Sequence, residues 1–260
     1  MQEARESEHE QRVLRPGIAI LLLSSLYCIG LELARVVYTG NRVYLFLIWN
    51  LFLAWIPFAV SLLIEEVQSR GARPALLVLL TAIWLLFFPN APYVITDFVH
   101  LRPRGSAPLW FDVLLIASFA WTSLLLGFVS LNRVQRLITS AAGALAGWLS
   151  AAGALVLASF GIYIGRFEVR NSWDLIVRPG PLARDTWHQL ASPALYPRTL
   201  GVTFSYAIFL MLTYAAICEI GGLLPTPRRF RLSARAKSGD VRPDTNASRS
   251  RARGSVRTPD

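Results

Sequence analysis

Six stretches of this chain are apolar on all sides over about the 20 residues that a helix needs to cross roughly 30 Å of hydrocarbon. They cover 16–37, 44–64, 74–88 with a broken continuation, 109–131, 138–164 and 200–224. A helix on the surface of a soluble domain keeps one apolar stripe and a polar back, and these segments have no polar back to offer water. With 54% of residues hydrophobic and 16% charged, the composition excludes an ordinary soluble domain. The pattern predicts an all-α, polytopic membrane bundle of about six transmembrane helices, the third broken at Pro89 and Pro92, with the lipid bilayer as its first partner. Residues 1–15 then form an N-terminal arm, 16–224 the transmembrane domain, and 225–260 a basic tail.

The first stretch is too long for the hydrophobic core of a cleaved leader, carries Glu32 and Arg35, and is followed by no small-residue cleavage pattern. Cys28 and Cys218 both fall inside spans and read as small buried side chains rather than as a disulfide. Net charge is +10, and its placement is informative. Alternate loops put 17 Lys and Arg with the two termini and 8 on the opposite side, with Arg35 inside a span. By the positive-inside rule both termini are cytoplasmic, as expected for a protein of a bacterial cytoplasmic membrane. The tail after Pro225, rich in Arg, Ser, Pro and Gly, is expected to be disordered and to rest on anionic lipid headgroups. Nucleic acid is not an expected partner, because neither interleaved aromatics nor a folded module accompanies the charges.

The candidate chemistry sits where the third span breaks, in the run FFPNAPYVITDFVHL over 87–101. Proline has no N–H and displaces a helical carbonyl, and backbone groups freed in this way survive at membrane depth only when buried in protein or facing a wet cavity. Asn90 is placed to cap the resumed helix, with Pro92 in its first turn. Asp97 and His100, three apart, share one face if the continuation is helical. The loop after the fifth span, GRFEVRNSWD, brings Arg166, Arg170, Asn171, Ser172, Trp173 and Asp174 out on the same side by the count of spans.

Together the two segments predict an outward-facing polar pocket. A carboxylate beside an imidazole orients it and raises its basicity, so His100 could act as a base positioned by Asp97, with Asp174 a third catalytic candidate. The same three residues are the candidate ligands of a divalent metal, although D-x-x-H lacks the second histidine of a diagnostic motif. Asn90, Tyr93, Arg166, Arg170, Asn171, Ser172, Trp173 and Asp112 are candidate ligand-binding residues, the arginines suited to a phosphate or carboxylate. The plainer alternative is a helix end whose Asp and His bond to backbone and water.

Other features carry structural expectations. Glu32 and Arg35 can pair at i, i+3, Asp112 lies in a first helical turn, and Glu219 can snorkel. Gly143, Gly147, Gly153, Gly161 and Gly165 in the fifth span allow close helix approach within the bundle. Leu182, Trp187 and Leu190 could lie on one face of a short interfacial helix.

The runs FFPNAPYVITDFVHL and YIGRFEVRNSWD resemble the bacterial membrane-protein family catalogued as domain of unknown function 1361. The likeness runs from the second span to the sixth and maps onto Pro89, Asn90, Pro92, Tyr93, Asp97 and His100, and onto Gly165, Arg166, Asn171, Ser172, Trp173 and Asp174. It implies a polytopic integral membrane protein and no particular activity, ligand or catalytic residue. Three functions remain open on the residues: a membrane-embedded enzyme acting on an anionic or lipid-linked substrate, an anion transporter or binding module, and a membrane scaffold or assembly factor without chemistry. Missing internal repeats and missing mid-membrane charges weigh against transport, and the lack of a strong catalytic motif weighs against an enzyme.

Overall fold

The computed structural model describes residues 2–71, 73–103, 107–167 and 197–220. Six helices in it are long and apolar enough to cross a membrane, and the described residues contain no strand. Helix α1 spans Gln2–Thr39, α2 Phe46–Ser69 and α3 Pro74–Phe87. A short α4 (Asn90–Tyr93) and a 3₁₀ helix (Val94–His100) continue α3, and α5 (Leu109–Ala142), α6 (Ala144–Phe167) and α7 (Pro197–Ile220) complete the bundle. The chain divides after Pro225, and every described residue belongs to the first unit.

Helix α5 is the centre of this unit. It packs against α1, α2, α6, α4 and the 3₁₀ helix, while α3 lies on α2 and α7 on α6. Its burial follows from that position: Leu115, Ile116, Phe119, Leu126 and Leu131 are all closed off from solvent. The outward sides of the other helices leave Leu23, Trp49, Phe52, Val78, Leu149 and Ile208 exposed, a surface that suits hydrocarbon and not water. Both cysteines are free and buried, as expected from their positions in the spans.

One boundary expectation is corrected. The stretch 132–137, read as a loop because its apolar run stops, is helical and lies inside α5, with Asn132, Arg133 and Gln135 buried. The turn comes later, at Gly143, whose φ of 91° is a conformation that side chains disfavour. A helix of 34 residues is roughly 50 Å long, more than the hydrocarbon needs, so its last turns can carry polar residues provided they find partners. Several of their groups do: Arg133 reaches Glu65 on α2, the Asn132 amide donates to the Tyr214 hydroxyl on α7 at 3.5 Å, and Tyr214 donates to Gln135.

Two glycines of α6 pack closely within the bundle. A Cβ on Gly147 would fall on the Thr139 hydroxyl across the Gly143 turn, and one on Gly161 would come within 3.0 Å of Pro89. Gly153 faces open space. The expected helix over 181–191 and the basic tail lie outside the described residues.

Candidate functional site

The break in the third span is a bend held together by substitute hydrogen bonds. Phe88 still donates its N–H to Trp84 at 2.8 Å, and Ala91 then tightens to an i−3 bond with Phe88 at 3.1 Å. That shift takes up the carbonyl that Pro92, lacking an N–H, cannot reach. It also leaves the Phe87 carbonyl without its i+4 donor, and the Asn90 side chain supplies one, donating at 2.9 Å. Asn90 therefore does not cap the resumed helix as expected; Pro89 occupies the cap position and no side chain caps it. The four-residue α4 offers no half-helix terminus for an anion.

Close packing explains why the bend stays buried. Gly127 of α5 admits Ala91, whose Cβ would lie 2.9 Å from a Cβ built there, and Gly161 of α6 admits Pro89 from the other side. Ala91 and Val94 are consequently shut off from solvent. The bent segment is clasped between two helices at glycine positions, which satisfies the burial condition for a broken membrane helix.

The 3₁₀ helix follows directly, and its period of three aligns Asp97 with His100, with Thr96 next to Asp97 in the chain. All three meet Arg166, in the last turn of α6. The guanidinium donates through Nε to the Thr96 hydroxyl at 2.9 Å, through Nη1 to His100 Nε2 at 2.8 Å and through Nη2 to Asp97 Oδ1. Its flat face lies 4.6 Å from the centre of the Tyr93 ring. Asp97 is 1% exposed, and its second oxygen accepts from the Asn50 amide on α2 at 2.8 Å. The His100 ring packs edge-on against Phe46, and its carbonyl accepts from the Tyr44 hydroxyl at 3.2 Å.

Four of the expected site residues, Tyr93, Asp97, His100 and Arg166, are thus brought into one cluster. Asn50, Thr96 and Tyr44 belong to it too. None was marked in advance, because a polar residue near the end of an apolar helix gives no sign of which neighbour it faces. Arg170, Asn171, Ser172, Trp173 and Asp174 lie outside the described residues. Asp112 is not part of the cluster. It receives a two-pronged contact from Arg35 on α1, Nε to Oδ1 at 2.7 Å and Nη2 to Oδ2 at 3.2 Å, so the expected Glu32–Arg35 pair gives way to a pair between α1 and α5.

The chemistry open to the cluster follows from who holds what. A guanidinium can only donate, so His100 Nε2 must be the accepting, unprotonated nitrogen, and its lone pair is committed. A general base needs that lone pair for substrate. A metal bridging Asp97 and His100 would have to displace Arg166, and no group of three or more His, Cys, Asp or Glu able to hold a metal occurs among the described residues. What the arrangement does directly is tie α2, the bent third span and α6 together by charge-assisted bonds.

Fold and cluster define a multi-pass helical membrane protein with a broken third span pinned by an arginine. Comparison with family models matches residues 49–213 to the protein family of unknown function DUF1361, and the chain belongs to that family. The matched stretch begins in α2 and ends in α7, so it contains the bend and Arg166 but not α1. Comparisons with curated proteins and with solved structures give no match.

Proposed function

We propose that the protein is a membrane scaffold or assembly factor, in which the PNAPYVITDFVH segment and Arg166 form an internal clamp rather than a reaction centre. The observation that carries this reading is that all three guanidinium nitrogens of Arg166 are engaged within the protein. Its Nε, Nη1 and Nη2 go to Thr96, His100 and Asp97, and the remaining Asp97 oxygen goes to Asn50. An anionic group held by Arg166 would have to compete with this set for the guanidinium. Removing one member of a buried, charge-paired set leaves the others without partners, which costs about 3–5 kcal/mol, whereas the intact set holds the helices in a defined arrangement.

The test is a set of replacements read for folded amount and for function together. Asp97→Asn and Arg166→Gln are expected to lower thermal stability in detergent, and the cellular phenotype of each variant should follow the amount of folded protein. The exchanged pair Asp97→Arg with Arg166→Asp should regain part of the loss. An Asp97→Asn variant that is present and folded at wild-type level yet has lost function would overturn the proposal. So would stabilisation of the wild type, but not of Arg166→Gln, by inorganic phosphate, which would point to an anion site instead.

A further inference from the structure

The Arg35–Asp112 pair leaves a third charged residue unaccounted for. Glu32, one turn before Arg35 on α1, is 0% exposed, and neither of its carboxylate oxygens has a hydrogen-bond partner among the described residues. Its sequence neighbour Arg35 does not bond it, and the guanidinium is turned to other partners. Nε and Nη2 bond Asp112, Nη1 points to the Asn41 carbonyl at 3.5 Å, and the face of the guanidinium covers the Tyr44 ring at 4.5 Å. Among the described residues one cation therefore stands among two carboxylates, and Asp112 holds it.

An ionised carboxylate that is buried without a donor, beside a cation already bonded to another carboxylate, is costly in a protein interior; such a group sheds its charge. We propose that Glu32 is a proton-binding site, carrying a proton in the bilayer-embedded protein, and that this proton is what leaves Arg35 free to join α1 to α5 through Asp112. The titratable and charged groups about it are Cys28 and Arg35 on its own helix, Asp112 on α5, and Tyr44 at the entry to α2, which bears on it through Arg35. Cys28 is itself engaged with the Thr122 hydroxyl of α5 at 3.4 Å. The ligand is a proton rather than a metal cation because the described residues bring too few oxygens to Glu32, those of Asp112 being bonded to Arg35. Hard cations take about six or more of them, while α1 and α5 run unbroken past the site and keep their backbone carbonyls in helical bonds. Loss of the proton would create a second claimant for Arg35 at i, i+3, the pairing that the sequence of α1 by itself suggests. This inference is independent of the clamp at Arg166 and stands or falls without it.

Infrared spectroscopy of the full-length protein in lipid nanodiscs, with glutamate carrying a ¹³C side-chain carboxyl, tests it directly. The wild type near neutral pH is expected to show the carbonyl stretch of a protonated glutamic acid, shifted by the label and so distinct from aspartic acid. The band should vanish in Glu32→Gln and, should that variant fold poorly, in Glu32→Asp, where the remaining acid carries no label. It should persist in Glu219→Gln, whose carboxylate is exposed. Absence of the band from the wild type near neutral pH overturns the proposal, as does its survival in a folded Glu32 variant.

Discussion

Each end of the bundle is tied by buried arginines, and the two ends do it differently. At the end where α1 passes into α2, Arg35 and Asp112 are 0% and 3% exposed in their side chains, and Arg166 and Asp97 are 13% and 1% exposed. At the opposite end, where α5 turns into α6, Arg133 is equally buried but its partner Glu65 is 29% exposed and also lies 3.9 Å from Arg136. Arg133 further leans on the Phe58 ring at 5.8 Å. The first end thus relies on enclosed groups with little water to replace a lost partner, and the second on a wetter group of charges that can substitute for one another. Buried pairs of the first kind specify which helices meet; pairs of the second kind add less, since solvent already screens them.

The largest effect expected from this contrast is at Arg35. Arg35→Met removes the cation that, among the described residues, stands beside Asp112 and Glu32, and should cost about 3–5 kcal/mol, the usual penalty for breaking one side of a buried pair. The double replacement Arg35→Met with Asp112→Leu should recover most of that, because an apolar pair of similar volume has no charge to desolvate. Reversible unfolding in mixed micelles measures both. A single variant as stable as the wild type would erase the distinction between the two ends.

How far these features are legible in the sequence depends on what fixes them. The spans are legible because a uniform apolar run of that length has no soluble alternative, and the bend at Pro89 and Pro92 because proline acts locally. Convergence of Asp97, His100 and Arg166 follows from counting spans, since an even number of crossings separates the end of the third from the end of the fifth. The partner of Arg35 is different. Within one helix the i, i+3 rule offers Glu32, and nothing in a single chain says that this face of α1 meets the first turn of α5, where Asp112 waits. For the same reason 132–137 reads as a loop: Asn132, Arg133 and Gln135 look like the end of a span until Tyr214, Glu65 and Cys218, more than 60 residues away in each case, come to meet them.

A second, smaller effect separates glycines that look alike in sequence. Gly127→Ala would place a methyl group 2.9 Å from the Ala91 Cβ, and a short, rigid side chain cannot move aside. Overpacking of this kind costs about 1–3 kcal/mol, and here it should also push the 3₁₀ helix away from Arg166. Gly153→Ala meets nothing within 4 Å and should change stability by no more than about 0.5 kcal/mol. Thermal unfolding of the two variants side by side checks this. Equal losses would mean that the bend is not clasped at Gly127.

The smallest effect belongs to the wetter end. Glu65→Gln keeps an acceptor beside Arg133 and leaves the packing of Arg133 on Phe58 in place, so the loss should be about 1 kcal/mol, near the upper limit for partly exposed pairs. High salt should shrink it further, because exposed charges are screened over roughly 10 Å at moderate ionic strength. The Arg35→Met penalty should be nearly indifferent to the same salt, since ions do not enter a site whose side chains are fully enclosed. Measuring both penalties at low and high salt therefore separates the two ends by mechanism as well as by size. A Glu65→Gln loss as large and as salt-insensitive as that of Arg35→Met would show that both ends are closed in the same way.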